Sequence, residues 1–113
     1  MRILALCLLL ASACSASVKD IYEVPADPTY DKDVSFYLAD HCVLCHGSPP
    51  NRGAPADFRL DVYDDPNADV LGAYAMRDAI LRNAESGRMP PGGGLGKNGK
   101  EMLRVWVANG APR

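Results

Sequence analysis

Five consecutive residues, Cys42-Val43-Leu44-Cys45-His46, limit what this chain can fold into more than any other part of it. Two thiols three positions apart on a helical turn face the same side. Each can add across one of the two vinyl groups on one edge of a porphyrin, and a histidine at the next position then lies beneath the metal. The run is therefore read as a C-x-x-C-H attachment site for one covalent haem c. Without His46 the same thiol pair would suggest a thioredoxin-like redox couple or half of a zinc site.

The 113 residues leave room for one domain, and the first of them do not belong to it. Residues 1–13 carry one basic side chain, Arg2, then an apolar run over 3–10, then small residues, the pattern of a secretory signal peptide. That run is too short to span a bilayer as a stable helix, so export rather than a permanent anchor of that kind is expected. The segment Leu10-Ala11-Ser12-Ala13-Cys14 resembles a bacterial lipobox, with Ala11 where leucine is commonest. Ordinary cleavage after Ala13 would instead give a soluble periplasmic protein with Cys14 as a free thiol in an oxidising compartment. Lipidation assigns all four cysteines: Cys7 leaves with the signal, Cys14 carries lipid, and Cys42 and Cys45 carry haem. The expected division is signal peptide 1–13, flexible tether 14–31 with Cys14 as lipidation candidate, and haem domain 32–113.

No cysteine is then left for a disulfide, and so small a core usually needs a staple. A covalent haem can be that staple, so the polypeptide without it is expected to be largely unfolded. The formal charge is −2, and loss of Arg2 makes the exported part more acidic. Lysine and arginine are scattered, so nucleic acid is not an expected partner. A mildly acidic carrier is steered weakly toward basic partner surfaces.

The tether mixes Pro25, Pro28 and several acids and reads as having no fold of its own. A first helix is predicted from about Asp33 into the motif, with Val34, Leu38, Cys42 and Cys45 on the face that meets the haem. Pro49 and Pro50 end it, and residues 51–60 read as a loop over the proximal face. A second helix is predicted to open at Asp65-Pro66 or Asn67, to carry the stripe Val70, Ala73, Met76, Ile80 and Ala84, and to stop near Gly87. A last helix takes Asn98 as N-cap, with Glu101 completing an approximate capping box. It buries Met102, Leu103, Trp106 and Val107 and closes at Gly110. With no alternating strand pattern, the expected fold class is all-α.

A second axial ligand must come from far along the chain, on a segment that holds it against the opposite haem face. Met89 meets both conditions, because Pro90 restrains it and the glycines at 92–94 let the backbone pass close to a porphyrin edge. Met76 and Met102 read as core methionines. His41, next to Cys42, is held on the proximal side. The metal ligands expected are thus His46 and Met89.

These features resemble a small class I monohaem cytochrome c over residues 33–112: a helix entering Cys42-Val43-Leu44-Cys45-His46-Gly47, a distal Met89-Pro90-Pro91, and a C-terminal helix with an aromatic residue. Phe58-Arg59-Leu60-Asp61 and the closing Trp106 to Pro112 are similar to short bacterial cytochrome c domains found as lipoproteins or fused to larger redox proteins. The resemblance implies three to four short helices wrapped around one haem, and a proline carbonyl, from Pro49, Pro50 or Pro55, that orients the proximal imidazole. The chain departs from the family in its first helix, where Val34 and Leu38 stand in place of a glycine and an aromatic. The helix crossing is expected to repack, with Leu38 or Tyr37 against Trp106.

His/Met ligation saturates the iron, which suits electron transfer and leaves no position for dioxygen or peroxide. The expected function is a periplasmic or membrane-tethered one-electron carrier, not an enzyme, between a membrane donor and a periplasmic or membrane acceptor. The alternative is a haem enzyme subunit or ligand sensor in which Met89 dissociates. Arg52, Arg59, Arg77, Arg82 and Arg88 could neutralise propionates, with Tyr74 or Trp106 as donors, though solvated arginines and core aromatics are the plainer reading of each.

Overall fold

The computed structural model describes residues 20–64, 67, 69–90 and 94–113. The signal segment, Cys14 and the first part of the tether lie outside the described residues, as do Pro91, Gly92 and Gly93. A π-helical turn, Tyr30–Val34, runs directly into α1, Ser35–His41, and α2, Val43–His46, follows after a break at Cys42. Two longer helices complete the set: α3, Arg77–Ser86, and α4, Lys97–Ala108. The pairing closest to a strand, among the described residues, is a single parallel bridge between Phe58 and Leu71. The fold is all-α, and no helix among the described residues is long and apolar enough to cross a membrane.

The core forms where α1 and its leading turn meet α4. Val34, Leu38, Met102, Leu103 and Trp106 are all fully buried there, and each contributes on the order of 1.5 to 3 kcal/mol of burial. Tyr30 packs 6.5 Å from Trp106, ring centre to ring centre. The Trp106 indole N–H donates to the Pro112 carbonyl at 2.9 Å, so it is already spent within the C-terminal turn. Tyr37 lies instead over Gly99 of α4, where a Cβ would overlap its phenol. The helix crossing thus has its glycine on the last helix rather than the first, and Tyr30 joins Leu38 and Tyr37 in the buried cluster that holds Trp106.

Four other sequence expectations change. The part of the tether that is described, from Asp20, packs against the domain: Ile21 and Val24 lie against the core and Tyr30 is inside it. Its Asp20 carboxylate accepts the N–H groups of Asn98 at 3.0 Å and Gly99 at 2.9 Å. That satisfies two of the free donors at the start of α4, so Asp20 acts as the cap while Gly96 holds the N-cap position. Asn98 lies inside the helix, and its side-chain amide donates to the Ile21 carbonyl at 3.1 Å.

The second helix begins at Arg77, later than its apolar stripe suggests. Residues before it are committed elsewhere: Leu71 N–H bonds to Asp57, Ala73 to Val62 and Tyr74 to Tyr63, so these groups cannot join a helical ladder. The end of α3 falls where expected, with Gly87 in the left-handed region at φ 74°.

The face of α1 toward the site also differs. Val34 and Leu38 are consumed by the protein core, while Tyr37 and Cys42 line the neighbouring cavity.

Candidate functional site

Main-chain bonds hold the C-x-x-C-H turn from both sides. His46 and Cys45 N–H groups bond to the Cys42 carbonyl at 2.9 and 3.2 Å, and the Asn51 and Leu60 N–H groups bond back to the Cys45 and His46 carbonyls at 3.1 and 2.8 Å. Cys42 and Cys45 are both free thiols. Burial, followed by the nearby Cys45, pushes the Cys42 thiol up to about 11, so it stays protonated at neutral pH. Burial pushes the His46 imidazole below its ordinary value, favouring the neutral form that can ligate a metal.

The His46 ring stacks on Phe58, 4.7 Å between centres with planes 24° apart. Its Nδ1 is buried and has no hydrogen-bond partner among the described residues. The proline carbonyl that the family resemblance implies is therefore not engaged here, although Pro55 lines the same cavity.

Met89 is presented by the turn that ends α3. Its N–H bonds to the Asn83 carbonyl at 3.2 Å, while the Gly87 N–H bonds to Ala84 at 3.3 Å. The peptide bond from Met89 to Pro90 is cis. Met89 remains 40% exposed, unusual for so apolar a side chain at a fixed turn.

These pieces meet at one place. A cavity of about 270 Å³ lies between α1, α3 and α4, bounded by Cys42 and His46 on one side and by Met76, Ile80 and Met89 on others. A larger hollow of about 510 Å³ beside it shares Cys42, His46, Pro55 and Met89 and adds Cys45, His41 and Arg52. Residues separated by more than forty positions in sequence thus converge on the same space. The walls of the smaller cavity are overwhelmingly apolar, with the Tyr37 hydroxyl, His46 and Asn83 as the polar exceptions. Burial above all pushes the Tyr37 hydroxyl up to about 12, and that group too is buried without a partner.

Sequence reasoning singled out Cys42, Cys45, His46 and Met89, and the structure gathers all four around the joined hollows. It did not single out Phe58 as the ring against His46, Asn83 as the anchor of Met89, or Tyr37 as a wall residue. Met76, read as core filling, packs against the core and also borders the cavity, while Met102 is buried in the core as expected. His41 stands at the motif side and has its ring 4.4 Å from that of Tyr37. Of the arginines, Arg52 reaches the larger hollow, Arg59 is paired with Asp61 at 2.6 Å, and Arg77 lies over the Tyr74 ring at 4.4 Å. Among the described residues no three or more His, Cys, Asp or Glu side chains gather into a metal-holding group.

No family model, curated protein or solved structure matches the chain.

Proposed function

We propose that this protein is an exported one-electron carrier with a class I cytochrome c fold, held to a membrane through Cys14 and carrying one covalent haem c. The observation that carries the reading is the shared apolar hollow, to which Cys42, His46 and Met89 all contribute. Its donor set fits such a group: two unpaired thiols, an imidazole kept neutral, and a thioether on a separately anchored turn.

On this reading Cys42 and Cys45 would hold the haem covalently, His46 and Met89 would be the side chains that ligate its iron, and Phe58, Ile80 and Met76 would exclude water. The group when bound supplies reversible one-electron chemistry at its iron. A soft thioether favours the reduced metal, and an apolar shell limits the cost of solvent rearrangement. Redox partners would be a membrane donor and a periplasmic or membrane acceptor.

The alternative is a second reading, in which Met89 would leave the iron and the protein would act as a haem enzyme subunit or ligand sensor. The two differ in ligand access. Protein matured with haem is expected to give a low-spin spectrum and to bind carbon monoxide poorly at neutral pH; a high-spin fraction with ready carbon monoxide binding would favour the second reading.

A further inference from the structure

Metal-ligating histidines usually donate their other ring N–H to a carboxylate, a main-chain carbonyl or water, which fixes the ring and raises its basicity. His46 departs from that rule. Its Nδ1 is buried and has no partner among the described residues, while one face of its ring is covered by Phe58 at 4.7 Å and 24°.

Phe58 is itself held rigidly. The Leu71 N–H bonds to Asp57 at 3.0 Å and the Arg59 N–H bonds to Leu71 at 2.8 Å, which clamps the main chain on either side of Phe58 to a second segment. Two residues on, the Leu60 N–H bonds to the His46 carbonyl at 2.8 Å, fixing the same strip of chain to the motif turn. The ring and the imidazole are therefore registered to each other through the backbone.

We infer that Phe58 is a positioning residue for His46: its ring, stacked on one face of the imidazole, sets the plane of that ring where a hydrogen bond does so elsewhere. This inference rests on the haem reading above. Removing the stack would release the imidazole to turn about its side-chain bonds, so its plane would no longer be fixed.

The test uses haem-matured protein with Phe58→Ala, Phe58→Leu and Phe58→Tyr. Wild-type protein must first show covalent haem with histidine ligation; if it does not, the haem reading fails and the inference goes with it. Given that, Phe58→Ala is expected to broaden the low-spin electron paramagnetic resonance signal, with Phe58→Tyr keeping the wild-type line shape. A fully loaded Phe58→Ala protein with wild-type line shape overturns the inference alone. Should Phe58→Ala fail to mature, Phe58→Leu keeps apolar bulk but loses the stack. Its signal is then expected to broaden at full haem loading, and an unbroadened signal overturns the inference.

Discussion

Tyr37 of α1 lies over Gly99 of α4 so closely that a Cβ at position 99 would overlap its phenol ring. Overpacking of a tight contact costs roughly 1 to 3 kcal/mol, and alanine regains about 1 kcal/mol of helix propensity over glycine. Gly99→Ala is therefore expected to destabilise haem-loaded protein by about 1 kcal/mol net. In a Tyr37→Leu background the same change should be neutral or stabilising. Urea unfolding of the four proteins checks it, and equal costs in both backgrounds would count against the contact.

Asp20 ties the segment ahead of the π-helical turn to the start of α4. Burial tends to raise its pKa, but three backbone N–H groups, from Asn98, Gly99 and Ile21, together with His41, outweigh that and lower it. A depressed carboxylate contributes stability that is full above its unfolded value and is lost as pH falls through the folded one. Asp20→Asn should thus matter least in strong acid, where wild type loses the same charge. Asp20→Ala removes a cap and is expected to cost about 1 kcal/mol at neutral pH, measured by urea unfolding at two pH values. A variant as stable as wild type at neutral pH would mean that α4 is capped some other way.

Gly87 is a cleaner case, because nothing among the described residues lies within 4 Å of a Cβ built there and its φ is 74°. Gly87→Ala should cost about 1 to 2 kcal/mol purely from backbone conformation, and Gly87→Asn less. Thermal melts compare them. A larger cost for asparagine than for alanine would show that some contact, not conformation, governs the turn that presents Met89.

What the sequence made legible follows interaction range. Gly87 as a stop, the buried Met102 and Trp106, and the C-x-x-C-H turn depend on neighbours a few residues away. Asp20 as the cap of α4 depends on a partner 78 positions away in sequence, and Asn98 displayed the local cap signature without taking the role. The late start of α3 has the same origin: Val70 and Ala73 fit a helical stripe, yet the segment around them bonds to residues 57–63. Phe58 stood out in the sequence only within Phe58-Arg59-Leu60-Asp61, with no role attached to it. Its role comes only from the strip that places it on His46.

The large apolar hollow makes a prediction about folding. Without a group to fill it, Met76, Ile80 and Leu103 face a gap that forfeits packing. A Cys42→Ala/Cys45→Ala variant that carries no haem is expected to lack a cooperative thermal transition in circular dichroism. A sharp melt would show that the helices stand without the plate.

His46 and Met89 as the two ligands of one iron can be tested in a single comparison: the oxidised-state absorption spectrum of haem-matured wild type beside Met89→Ala. Wild type should show the weak near-infrared band of methionine bound to ferric haem, and Met89→Ala should lose it while keeping its covalent haem. The same spectrum in both proteins, with haem bound in each, would contradict the assignment of Met89.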